Sequence, residues 1–277
     1  MKKIFIITSA MMLLLAFASV SFAKSFSDVK GSKYEKAVDI LSTLNIISGY
    51  EDGTYKPDKT VTRAEMAKLI IVALAKESTA ESLKGETKFS DVKASSWSSG
   101  YVNCAASLGI IQGYPEGTFQ PNNPVTYAEA ATMLLRALNY NKELEGLQYP
   151  TGYMTVANSA GILNNVSANS SKDGAIRGNV ATMVLNTLKG GVRKIVSQTT
   201  KGVTTYGDGN PLIETSFPDI KYIKEGEIID IDFNSNEIYI RDKANSRRIS
   251  ASIEDPDDLV ELFKRKVQIT IDSIENL

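Results

Sequence analysis

The chain of 277 residues contains no histidine. That removes imidazole general-base catalysis, Ser-His-Asp and Cys-His nucleophiles, and His-ligated zinc. A single cysteine, Cys104, rules out an intrachain disulfide or a paired-cysteine metal or redox site. Neither charge dominates: Lys plus Arg total 31 against 32 Asp plus Glu, a formal net charge of -1. No global basic field therefore exists to hold nucleic acid. After the N-terminus no apolar run is long enough to span a bilayer.

Residues 1–23 carry the pattern of a secretory signal. Lys2 and Lys3 precede an apolar run from Ile4 to Val20, and Ser21-Phe22-Ala23 places small residues before a cleavage point. The mature chain is expected outside the cytoplasm and free of the membrane. With 43% hydrophobic and 23% charged residues, it reads as globular.

Internal repetition is the dominant feature. Phe26-Ser27-Asp28-Val29 returns as Phe89-Ser90-Asp91-Val92. The segment Leu44–Pro57, with Gly49-Tyr50-Glu51-Asp52-Gly53-Thr54-Tyr55, returns at 108–121 with Gly113-Tyr114-Pro115-Glu116-Gly117-Thr118-Phe119. Val61-Thr62-Arg63-Ala64-Glu65 returns as Val125-Thr126-Tyr127-Ala128-Glu129. A third, worn copy aligns Tyr149 to Leu163 with Trp97 to Ile111, and Arg177 to Met183 with Tyr127 to Met133.

Each copy reads as helix, turn, loop, helix. Ala37, Val38, Leu41 and Leu44 have helical spacing, as do Tyr101, Ala105 and Leu108. The first helix is expected to stop at Gly49 or Gly113, and a tight turn follows at Asp52-Gly53 or Glu116-Gly117. Thr62-x-x-Glu65 and Thr126-x-x-Glu129 fit the capping box at the start of the second helix. Met66, Leu69, Ile70 and Leu74, and likewise Ala130, Met133, Leu134 and Leu138, form its apolar stripe. Cys104 reads as a small buried hydrophobe. A two-helix unit cannot bury its own apolar faces, but three together can.

These blocks closely resemble the S-layer homology repeat of bacterial cell-surface proteins, over residues 26–188. The resemblance implies a mostly α, pseudo-threefold trimer of repeats with a central three-helix bundle; the residues after it read as a small β-rich domain, so the chain is expected to be multidomain. The divisions expected are a signal at 1–23, repeats at 24–86, 87–143 and 144–190, a linker with short strands at 191–220 and a β-rich domain at 221–277. It implies non-catalytic anchoring to the cell wall or surface layer, through grooves that bind secondary cell-wall polysaccharide bearing pyruvylated sugars. Other surface-layer proteins are further expected partners; nucleic acid, cofactor and metal are not.

The site residues expected from the repeat are Arg63, Arg177, Trp97, Asp28, Asp91, Tyr127, Glu65 and Glu129. Arg63 follows a capped helix start, where amides and a guanidinium together suit a carboxylate. Arg177 holds the matching place in copy three, but Ile176 and Asn179 have replaced the capping residues. Tyr127 stands where copy two should have an arginine, so its groove is expected to be poor or altered. Thr62, Glu65, Thr126 and Glu129 read first as caps, and Asp28 and Asp91 as helix caps or loop clamps. Trp97 is a lid on the core, a sugar-stacking platform, or both. No phosphate loop is present, since the Walker lysine pattern is missing.

Beyond Leu188 the texture turns polar. Glu227–Phe233 and Glu237–Arg241 alternate as hairpin strands around Asn234-Ser235-Asn236, and Arg248–Ile253 and Val267–Ile274 read as further strands. Pro256–Lys264 reads as a helix. Asp230, Asp232 and Asp242 read as a solvated strand face rather than a metal site. Two other readings stay open: an envelope enzyme acting on glycan through paired carboxylates in the C-terminal domain, and a protein–protein scaffold that uses the grooves for partner helices.

Overall fold

The computed structural model describes residues 26–198, 204–217, 226–232, 237–242 and 248–252. The signal segment, the helix at 256–264 and the strand at 267–274 lie outside the described residues. Among the described residues, no helix is long and apolar enough to cross a membrane.

The repeats supply paired helices. Copy one contributes α1 (Glu35–Thr43) and α2 (Arg63–Ala73), with a short α3 (Glu77–Ser82) after them. Copy two contributes α4 (Ser99–Ser107) and α5 (Tyr127–Ala137), followed by a single 3₁₀ turn at Lys142–Leu144. Copy three contributes α6 (Thr151–Ser159) and α7 (Arg177–Lys189). Both capping boxes are formed: the Thr62 hydroxyl accepts the Glu65 amide while Glu65 accepts the Thr62 amide, and Thr126 and Glu129 repeat the exchange. Helix α7 starts at Ile176 without a side-chain cap.

The first helices end earlier than Gly49 and Gly113. Helix α1 stops at Thr43 and α4 at Ser107, where Asn45 (φ 56°) and Gly109 (φ 71°) turn left-handed. The Asn45 amide donates to Ser42 O at 3.0 Å and the Ile46 amide to Leu41 O at 2.9 Å, a Schellman closure that copies two and three repeat. Gly49 serves a different need. A Cβ there would collide with the Phe26 ring and lie 2.6 Å from the Thr54 carbonyl oxygen. The turn is folded tightly over the phenylalanine of its own repeat.

Packing interlocks the copies. Helix α1 packs on α7, α4 on α2 and α6 on α5, so each first helix covers the second helix of another copy. The second helices α2, α5 and α7 also touch pairwise. At their starts, three backbone hydrogen bonds close a ring: Val61 N to Ala175 O (2.9 Å), Ala175 N to Val125 O (2.8 Å) and Val125 N to Val61 O (2.9 Å). Met66, Ile70, Leu134, Leu135, Met183 and Leu188 are buried in one continuous core, and Cys104 is buried with them.

The stretch after Lys189, read from the sequence as a linker with short strands, carries two strands and a short helix among its described residues. Strands β1 (Gly191–Gln198) and β2 (Thr204–Pro211) pair antiparallel, and α8 (Leu212–Ser216) follows. Leu212 and Ile213 are buried in the same core as the repeats. The Arg193 amide donates to Leu138 O at 2.9 Å, and its guanidinium pairs with Glu143 at 2.7 Å. The hairpin thus folds back onto the end of copy two. Strands β3 (Gly226–Asp232), β4 (Glu237–Asp242) and β5 (Arg248–Ser252) form an antiparallel sheet in the order β3-β4-β5, with β3 and β4 paired as expected. Asp230, Asp232 and Asp242 lie on β3 and β4.

Candidate functional site

The interlocking of the copies opens two grooves whose linings share many equivalent positions. The Arg63 groove, of about 340 Å³, takes Arg63 from copy one, Tyr114, Glu129 and Arg136 from copy two, and Tyr149 and Tyr153 from copy three. The Arg177 groove, of about 400 Å³, takes Arg177 from copy three, Glu65 and Lys68 from copy one, and Trp97 from copy two. Each groove needs all three copies. In the repeat alignment Arg177 stands for Arg63, Glu65 for Glu129, Lys68 for Thr132, Val72 for Arg136 and Trp97 for Tyr149.

The helix-start amides are not available to a ligand, contrary to the sequence expectation. The Arg63 amide donates to Asn123 O (2.9 Å) and the Ala64 amide to Pro121 O (3.0 Å), both on the loop of the next copy. The Arg177 and Gly178 amides donate to Lys59 O and Pro57 O, each at 2.8 Å. Interlocking of the copies consumes the donors that would otherwise receive an anion. Recognition must come from side chains.

The two arginines differ in their surroundings. Arg63 is 6% exposed and lies over two aromatic rings, with its guanidinium carbon 4.8 Å from the centroids of both Tyr114 and Phe119. Its Nε donates to Phe119 O (2.7 Å) and its Nη1 to Glu129 Oε1 (2.8 Å). The Tyr114 hydroxyl donates to that same oxygen at 2.7 Å, and Glu129 Oε2 accepts from Thr126. The Glu129 carboxylate is saturated. Burial first, and this hydrogen bond second, push the Tyr114 phenol up to about 12.

Arg177 donates Nε to Tyr55 O (2.9 Å) and Nη2 to Ser48 O (3.1 Å), and lies 4.4 Å from the Tyr55 ring. Among the described residues no carboxylate lies within 4.0 Å of it. The Tyr50 hydroxyl, counterpart of Tyr114, accepts from Lys59 Nζ at 3.0 Å instead of bonding the acid. Glu65 Oε2 holds the Thr62 amide at 2.7 Å.

Trp97 and Tyr149 are the exposed rings at the two grooves, 54% and 50% accessible. Trp97 tilts over Tyr101 at 6.4 Å between centroids, and Tyr149 stands edge-on to Tyr153 at 5.4 Å. Neither ring is a lid on the core. The sequence match of Tyr149 to Trp97 already carried this signal, but Tyr149 was not expected as a site residue.

An S-layer homology domain matches residues 25–67 and again 88–131. The chain carries S-layer homology domains at these residues. Over 175 residues it is 35% identical to the middle cell wall protein of Brevibacillus brevis, covering 63% of this chain and 16% of that protein. It is 34% identical to a surface layer protein of Brevibacillus choshinensis, covering 60% of this chain and 15% of the relative. A cell surface protein of Thermoanaerobacter kivui is 35% identical, over 60% of this chain and 22% of the relative. The chain thus spans less than a quarter of each relative's length.

The other expected site residues lie elsewhere. Asp28 accepts the Tyr55 and Lys56 amides at 2.9 and 2.7 Å, and Asp91 accepts the Phe119 and Gln120 amides at 2.8 and 2.7 Å. Both are loop clamps across their repeats, and neither lines a groove. Tyr127 is buried and its hydroxyl accepts from Asn179 Nδ2 at 2.6 Å. The Tyr34 ring fills the space beside Gly178, where a Cβ would lie 2.7 Å from it. Two tyrosines therefore occupy the third junction. Arg136 and Lys68, which line the two grooves, were not among the expected site residues.

Proposed function

We propose that the protein is a non-catalytic anchor of the bacterial cell surface, held on the cell wall by its two grooves through an acidic secondary cell-wall polysaccharide. The three interlocked repeats, a pseudo-threefold spindle around α2, α5 and α7, form the binding unit. Its C-terminal strands serve display or assembly with other surface proteins. The observation that carries this reading is the pairing, in each groove, of an exposed aromatic ring with a guanidinium and a carboxylate. A ring of that kind stacks on the apolar face of a sugar, and a guanidinium holds a ketal carboxylate. The surface and cell-wall relatives support the same location.

The test is co-sedimentation of the full chain with purified sacculi of the producing bacterium, before and after mild acid removes ketal pyruvate. Retention is expected on untreated walls and loss on treated ones. Equal retention on both overturns the acidic-sugar reading, and retention on protein-coated, glycan-free envelopes would favour a scaffold instead.

A further inference from the structure

In the Arg63 groove the repeat arginine is already spent. Its charge faces Glu129 at 2.8 Å, its Nε is taken by Phe119 O, and its side chain is 8% exposed. An incoming carboxylate there would meet Glu129, a like charge, at the same guanidinium. The groove holds a second guanidinium with no such partner. Arg136, on the last turn of α5, is half-buried and lines the cavity beside Tyr149 and Tyr153. Its one hydrogen bond among the described residues is a long 3.4 Å contact from Nη1 to Ile110 O. A partly desolvated guanidinium with most of its five donors unused is an expensive group to leave unmatched. At the equivalent place the Arg177 groove has Val72, and there the arginine at the helix start is the unpaired one. Each groove keeps one guanidinium free of carboxylates, but at different positions around its exposed ring.

We infer that Arg136, not Arg63, is the residue that grips the ligand carboxylate in the Arg63 groove, so that the two grooves bind acidic sugars in different orientations. This rests on the wall-glycan reading above and adds the specificity-determining residue of one site. Arg63 is a positioning residue, holding Glu129 and Tyr114 in place.

Trp97 is the sole tryptophan and lines only the Arg177 groove, so its fluorescence reports that groove alone. The full chain is titrated with the methyl glycoside of a 4,6-O-pyruvylated N-acetylhexosamine and with its neutral methyl ester. Calorimetry counts both grooves while Trp97 emission follows one. Arg136→Val installs the residue that copy one carries, and Arg136→Gln is a second variant should the first melt early. The expected result is that acid binding in one calorimetric site weakens by about tenfold or more, to the level of the ester, while the Trp97 titration is unchanged. Unaltered two-site binding by both variants overturns the assignment and leaves the wall-glycan reading intact. No response of the wild-type chain in either signal overturns both.

Discussion

Arg63 Nη1 lies 2.8 Å from Glu129 Oε1, although the two residues belong to different sequence copies and their side chains are only 8% and 19% exposed. The pair joins the start of α2 to the start of α5 and is fixed further by Tyr114 and Phe119. It is a clasp between repeats. Removing one partner leaves a desolvated charge, so Arg63→Ala is expected to destabilise the fold by about 2–4 kcal/mol. Urea unfolding followed by circular dichroism checks this, and a change under about 0.5 kcal/mol would contradict it.

Arg177 is expected to behave in the opposite way. Its guanidinium meets two carbonyls and no carboxylate among the described residues, so Arg177→Ala leaves no orphaned acid. Stability should fall by about 1–1.5 kcal/mol, while retention on sacculi falls much more than the loss of folded protein explains. Measuring both on one preparation separates the effects.

High pH should loosen the repeat unit at two tyrosines. Burial raises Tyr55 from 10.0 to about 12, and burial with the Glu129 hydrogen bond raises Tyr114 likewise. Both phenols ionise more readily in the unfolded chain than in the folded one. The stability they contribute is complete below pH 10 and is lost as the pH rises to 12. Absorbance at the phenolate band should show Tyr55 and Tyr114 titrating last, together with alkaline unfolding.

Gly49→Ala is expected to cost about 1–3 kcal/mol, because the new methyl must displace the Phe26 ring or the Thr54 carbonyl. Gly53→Ala, where nothing lies within 4 Å, suffers only the penalty of a left-handed backbone. Thermal melting of the two variants distinguishes a packing defect from a turn defect.

Leu212→Ala should destabilise the repeats themselves, by about 2–4 kcal/mol, since its side chain is buried in their core. A melt that loses the helical signal of the repeats at a lower temperature would show it. An unchanged melt would mean that α8 is dispensable to them.

Much of the helical part was legible because the local signals are strong. The Thr62 and Thr126 capping boxes, the stripes of α2 and α5 and the β3–β4 hairpin all follow from short-range spacing. Helix α3 was not, since Glu77–Ser82 is short and buries only Ala80. The ends of α1 and α4 were misplaced because Asn45 and Gly109 close the helix ahead of the more conspicuous Gly49 and Gly113. At the site, the repeat alignment brings out Arg63, Arg177 and Trp97. It cannot bring out the Arg63–Glu129 pair, the loss of the helix-start amides or the exposed face of Arg136. Those arise only when three copies interlock, and nothing within a single copy encodes its neighbour's loop.

The most direct measurement is the emission of Trp97 in the full chain, titrated with a pyruvylated N-acetylhexosamine glycoside and, separately, with its methyl ester. The account predicts a saturable change with the acid that weakens as salt is raised, and little change with the ester. Equal responses to both, or none to either, would contradict it.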